Sequence, residues 1–234
     1  MTKRAYLNYH TLITQHLHIL KNLQYHSGLF AASSKKVNTG YNKSWLRDNF
    51  YECLAFAVIG DWDTVEKTYT TLLEIFLKHE YKIDYAIAKK PEHQHEYIHA
   101  RFHPENFDEF WEDWGNKQNY SIGAILFMIA ELEHHHKRII LKNDAHIRIV
   151  NKLVQYLESI HYWCDEDSGM WEENEEVHAS SVGACVAGLR SIERLPKVHV
   201  PQYLIDNGMK TLNHLLPRES QTKFVDLSLL SLIY

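Results

Sequence analysis

The chain has 234 residues, 45% of them hydrophobic and 24% charged, with a formal charge of -5. That is enough apolar material for a sizeable core in one large domain or two small ones, and it excludes a disordered chain. The acidic balance argues against nucleic acid or an anionic membrane as the main partner, since both demand a basic footprint.

Apolar residues recur at three- and four-residue steps, which predicts an all-α protein. The first helix is expected over residues 3 to 24, with Ile13, His16, Leu17, Leu20 and Leu23 on one side. The apolar G-L-F-A-A-S-S that follows reads as extended. A second helix runs from about Trp45 to Ile59 and a third from about Asp63 to His79, where Asp61 or Asp63 suits the N-cap. Residues 80 to 116 are polar, rich in His and aromatics, and interrupted by Pro91 and Pro104. They read as a long excursion, the kind of segment that carries function. Helices resume at about 118 to 138, 143 to 161, 179 to 194, 201 to 215 and 222 to 233, joined by short turns as antiparallel hairpins.

No low-complexity linker divides the chain, so residues 1 to 234 are expected to form a single helical domain. The last stretch, F-V-D-L-S-L-L-S-L-I-Y, stops while strongly apolar and uncapped, and reads as cut. No apolar run is long enough to cross a bilayer, and the N-terminus lacks a signal-peptide core. Cys53, Cys164 and Cys185 are too widely spaced for a disulfide framework, so the cytoplasm is the expected setting.

Five stretches carry candidate chemistry. H-E-Y-I-H, from His95 to His99, fits the zinc-protease pattern. That pattern needs a long amphipathic helix, however, and this one lies between two prolines. His134, His135 and His136 suit the end of a helix better than a metal. In Y-N-K-S-W-L-R-D-N-F-Y-E, residues 41 to 52, Arg47 and Asp48 stand at a helix start. They are either an ordinary capped surface pair or a donor and acceptor that grip hydroxyl groups, with Tyr41 and Trp45 as an apolar wall. F-W-E-D-W-G-N-K-Q-N-Y-S, residues 110 to 121, places Trp114 and Gln118 at a helix mouth, as a structural turn or a binding subsite. Finally, G-M-W-E-E-N-E-E-V-H-A-S crowds Glu172, Glu173, Glu175 and Glu176 behind Trp171. Alone it is a solvated acidic turn; beside the other clusters it becomes a place where desolvation and like charge keep a proton on one carboxyl group.

In this order and spacing, G-L-F-A-A-S, Y-N-K-S-W-L-R-D, W-G-N-K-Q-N and M-W-E-E resemble glycoside hydrolase family 15, the glucoamylases. They also resemble the related domain of phosphorylase kinase subunits. The resemblance implies an (α/α)6 barrel of the six-hairpin type, here incomplete with about eight of twelve helices. It implies that Arg47 and Asp48 hold the non-reducing glucose, that Tyr41 and Trp45 line its subsite, and that Trp114 closes over the substrate. Gln118 belongs to the same binding cluster. Glu172 would be the general acid, Trp171 part of its hydrophobic pocket, and Glu173 a contact on the leaving-group side.

The chain departs from the family in two respects. Tyr120 stands where the family usually has an aspartate, which removes a carboxylate from the site. Nothing in residues 200 to 234 matches the segment that carries the general base. An inverting enzyme needs that base about 6.5–9.5 Å from the acid. The resemblance therefore implies inverting release of glucose from the non-reducing end of α-glucans or oligosaccharides in the full-length form. The alternative is a catalytically inactive glucan-binding or regulatory module. No metal or organic cofactor is expected. A barrel lacking helices would leave an apolar edge, for which a helical partner or self-association is a further expectation.

Overall fold

The computed structural model describes residues 3–34, 36, 40–110, 117–135 and 140–233. Its helices are α1 (Lys3–Leu23), α2 (Leu46–Val58), α3 (Trp62–Lys78), α4 (Glu80–Ala88), α5 (Asn119–His134), α6 (Asp144–Ser159), α7 (Ala179–Ile192) and α8 (Gln202–Leu215). Two short strands, β1 (Ser44–Trp45) and β2 (Arg101–Phe102), pair antiparallel with Trp45 opposite Arg101.

Helices α2, α5 and α7 lie side by side as an inner arc. Behind them, α3 backs α2, α8 backs α7, and α6 packs on α3 and α4. Sequence pattern explains the two layers. Helix α5 is buried around most of its circumference, from Ile122 and Ile125 to Met128 and Ile129, as an inner helix must be. Helix α6 has one buried stripe, Ile149, Val150, Leu153 and Leu157. Its outer face carries Arg148 and Lys152, each 2.8 Å from Glu80 of α4. Helices α5 and α7 cross backbone to backbone. A Cβ at Gly123 would stand 2.5 Å from the backbone of Ala184, and one at Gly188 would collide with the Gly123 carbonyl. Glycine is required at that crossing by close approach.

Caps set the boundaries. Asp61, not Asp63, caps α3, accepting from the Thr64 amide at 3.2 Å, and Asn143 caps α6 through the His146 amide at 2.9 Å. Of the apolar G-L-F segment read as extended, Phe30 forms an isolated bridge with Gln24 while Gly28 turns at φ 101°, and Leu29, Phe30 and Ala31 are fully buried. On α1, Ile13, Leu17, Leu20 and Leu23 are half-buried, whereas His16 is exposed.

Two elements differ from the sequence reading. Residues 80 to 88, assigned to the polar excursion, form α4. Its Ile83 and Ala86 are buried while Tyr81 and Tyr85 are exposed, so its stripe is short and its composition conceals it. His79 ends α3 and begins α4, which bends the chain there. Conversely, the helix expected over 222 to 233 is only a 3-10 turn over Leu227–Ile233. The residues before it are drawn into side-chain contacts with the acidic loop, described below. H-E-Y-I-H is no α-helix either: Gln94–Glu96 is a single 3-10 turn, and Glu96 caps it by accepting from the His93 amide at 2.9 Å. Among the described residues no group of three or more His, Cys, Asp or Glu side chains could hold a metal. No described helix is long and apolar enough to cross a membrane.

Candidate functional site

Three loops meet at one end of the inner arc. The first enters α2. Buried Asn49 donates to Ser44 Oγ at 2.7 Å and to the Trp45 carbonyl at 2.6 Å, and accepts from the Phe30 amide at 2.9 Å. This ties the G-L-F segment to W-L-R-D and fixes the first turn of α2, from which Arg47 and Tyr51 line a cavity. An asparagine in an otherwise apolar stripe was the signal in the sequence for this contact.

The second loop ends at α5 and the third is the acidic run. They are joined by two buried aspartates that sequence reasoning did not single out. Asp167 accepts from the Asn119 amide at 3.0 Å, the Gly169 amide at 3.1 Å and Ser181 Oγ at 3.0 Å. It thus places a carboxylate at the α5 N-terminus, where the helix dipole favours one. Burial nevertheless pushes its carboxyl up to about 6, with His178 and these hydrogen bonds opposing. Asp165 pairs with Lys90 at 3.1 Å and accepts from Asn119 Nδ2 and Tyr97 Oη, each at 3.2 Å.

At the centre, Arg47 donates to the Met170 carbonyl at 2.6 Å, to Tyr120 Oη at 3.0 Å and to Glu172 Oε1 at 3.3 Å, and its Nε is 3.4 Å from Asp48. Gln118 donates to the same Glu172 oxygen at 2.9 Å. Tyr120 donates to Gln118 Oε1 at 3.0 Å while accepting from Arg47. The phenol therefore bridges the arginine and the glutamine that both hold Glu172. One turn past Asp48 on α2, burial and then repulsion from Asp48 push the Glu52 carboxyl up to about 9.

The acidic run is not a patch of crowded charge. Glu172 faces Arg47 and Gln118, while Glu173 pairs with Lys223. Glu175 meets Gln94 and lies 3.9 Å from Lys117, and Glu176 accepts from the Thr222 amide at 3.1 Å. Four neighbouring carboxylates thus diverge to separate partners. Trp171 is 50% exposed and its indole donates to Asp226 Oδ1 at 2.6 Å, so it forms a rim and is not a sealed apolar wall. Glu172 itself sits at φ 57°, a left-handed backbone that side-chain-bearing residues rarely adopt.

A cavity of about 530 Å³ is lined by Tyr41, Arg47, Tyr51, Met170, Trp171 and Glu172 together with Leu227, Leu230 and Ser231. That volume lies within the range of small-molecule sites. Glu172 is the one carboxylate among its described lining residues. A second, more apolar cavity of about 300 Å³ adjoins it through Arg47, Tyr51, Met170 and Ser231. Trp45 is displaced from the role expected of it. It is 3% exposed and lies beneath the stacked Tyr41 ring, 5.4 Å between centroids, with the Arg101 guanidinium 5.1 Å from its own ring. Tyr41 forms the wall and Trp45 supports it. Asp48 touches Arg47 and does not line the cavity. Trp114 lies outside the described residues.

The model of the family described as glycosyl hydrolases family 15 matches residues 8–204. The chain is 28% identical over 244 residues to a phosphorylase b kinase regulatory subunit alpha, liver isoform, of Takifugu rubripes, covering 88% of this chain and 19% of the relative. It is 27% identical over 265 residues to a probable phosphorylase b kinase regulatory subunit alpha of Drosophila melanogaster, covering 97% of this chain and 20% of the relative. Among solved structures, a single-substitution glycosidase variant superposes with a TM-score of 0.79 at 17% identity, over 98% of this chain and 64% of that one. A glycosidase variant in complex with glucose superposes with a TM-score of 0.76 at 17% identity, over 92% and 58%. The inner and outer helices are therefore an incomplete (α/α)6-type barrel. The chain spans about a fifth of the length of the curated relatives it matches.

Proposed function

The chain belongs to glycosyl hydrolases family 15, and on that premise we propose that its pocket receives the non-reducing glucose end of an α-glucan or oligosaccharide, which the full-length form hydrolyses with inversion. The observation that carries the reading is convergence. Arg47 and Glu172, 125 residues apart in sequence, are in contact on the wall of one small cavity, with Tyr41 and Trp171 beside them and buried Gln118 holding Glu172 from behind. In this assignment Glu172 is the general acid and Arg47 offers a forked donor to sugar hydroxyls, while Asp48, behind it at 3.4 Å from its Nε, supports the guanidinium and does not itself reach the sugar. Gln118 orients Glu172. Tyr41, backed by Trp45, and Trp171 present ring faces to the apolar side of the sugar. Glu173 lies on the leaving-group side, where Lys223 meets it. Inversion also needs a carboxylate base. With Glu172 alone among the described lining carboxylates, that base belongs to residues outside this cavity wall. We read residues 1 to 234 as one helical domain and place it in the cytoplasm, in keeping with its three free cysteines.

A second reading, a glucan-binding regulatory module without hydrolysis, is favoured by one feature of the geometry. Arg47 has its donors on Met170, Tyr120 and Glu172, so the group that would grip the sugar instead grips the acid. The curated relatives, named regulatory subunits, support the same reading. Incubation with maltooligosaccharides separates the two. Glucose release that Glu172→Gln abolishes supports the hydrolase, and saturable binding without release supports the module. Absence of any binding, with the fold intact by circular dichroism, would refute both.

A further inference from the structure

Glu172 adopts a backbone conformation at φ 57° that costs free energy for any residue with a side chain, so something must hold it. Its neighbours in the chain show what does. Lys223 grips the residue after it through the Glu173 carboxylate. Asp226 grips the residue before it through the Trp171 indole, at 2.6 Å. Thr222 fastens the end of the same loop by donating its amide to Glu176 at 3.1 Å. All three belong to the irregular segment that replaces the expected last helix.

That segment is itself a built structure. The Ala179 amide donates to the Glu219 carbonyl at 2.6 Å. The Glu219 carboxylate, 1% exposed, accepts from the Ser180 amide at 3.1 Å and from Ser180 Oγ at 2.5 Å. The segment is therefore anchored to the N-terminus of α7. Within it, the Glu219 amide donates to the Lys223 carbonyl at 3.0 Å, and the Ser228 amide donates to Asp226 Oδ1 at 2.8 Å. Lys223 and Asp226 are thus presented from a fixed turn, and their side chains are only 18% and 16% exposed.

We propose that Lys223 and Asp226 are positioning residues for the pocket: by pinning Glu173 and Trp171 they keep Glu172 in its left-handed conformation, with its carboxylate on Arg47 and Gln118. The inference rests on the pocket reading above for its consequence, not for its mechanism. The same segment continues into Leu227, Leu230 and Ser231 on the cavity wall, so positioning Glu172 and lining the pocket are tasks of one stretch of chain.

Two measurements on the full chain test it. Hydrogen exchange at the amides of residues 170 to 176 reads the clasp without any sugar. Calorimetric titration with maltotetraose reads the consequence. Lys223→Met and Asp226→Leu are expected to speed exchange in that loop while α5 and α7 keep their protection, and to weaken maltotetraose binding about five- to tenfold. Lys223→Arg and Asp226→Asn, which keep the charge or the acceptor oxygen, are expected to restore both readouts to within about twofold. Unchanged exchange in Lys223→Met and Asp226→Leu would overturn the clasp. Faster exchange with unchanged affinity would overturn the positioning role. Should the unmodified chain fail to bind maltotetraose, the pocket reading falls, and exchange in the same variants still decides for or against the clasp.

Discussion

Substitution of Glu52 by glutamine tests whether α2 holds a neutral carboxylic acid one turn from Asp48. Glu52 stands one turn beyond Asp48 on α2, and side chains at that spacing are neighbours. Among the described residues its buried Oε2 has no hydrogen-bond partner. Burial first, and the Asp48 charge second, raise its pKa from 4.5 to about 9. The folded protein therefore keeps a proton that the unfolded chain releases. Stability from this group is full below pH 4.5 and is lost as pH rises toward 9. Each pH unit in that interval is worth about 1.36 kcal/mol, so the 2.5 units between 4.5 and 7 amount to roughly 3 kcal/mol. Glu52→Gln keeps the shape and removes the titration. In urea unfolding at a series of pH values, the variant is expected to gain roughly 3 kcal/mol on the unmodified chain between pH 4.5 and 7, at constant m-value. Parallel stability profiles would refute the reasoning and mean that water reaches the carboxylate.

Gly188→Ala drives a methyl group into the Gly123 carbonyl at the α5–α7 crossing and is expected to cost about 3 kcal/mol in the same assay, as overpacking of a tight core does. Tyr120→Phe removes the hydroxyl that joins Arg47 to Gln118; a loss of about 1 kcal/mol in stability and a measurable weakening of sugar binding are expected, with unchanged affinity counting against a role for the phenol. Asn49→Leu leaves the Phe30 amide without its acceptor and frees the entry to α2, for an expected cost of about 2–3 kcal/mol by urea unfolding.

What could be read along the chain was whatever repeats at short range. The three- and four-residue apolar steps located seven of the eight described helices, because a helix that must bury one face writes that face locally. Helix α4 escaped because its buried stripe is only Lys82, Ile83 and Ala86, too short to stand out among histidines and exposed tyrosines. The last segment misled in the opposite direction: its apolar spacing is helical, yet Thr222, Lys223 and Asp226 are drawn to the acidic loop and the backbone follows them. The residue types of the pocket were equally legible, since W-L-R-D and M-W-E-E are local words. Their relations were not. That Glu172 meets Arg47, that its three acidic neighbours diverge to different partners, that Trp45 supports Tyr41 and does not line the cavity, and that Asp165 and Asp167 lock two loops together all depend on how distant elements pack. Sequence alone determined a helical-hairpin chain carrying the side chains of the proposed sugar site. Tertiary structure decided which of them touch, because desolvation and ion pairing act across a few ångströms of space regardless of how many residues lie between.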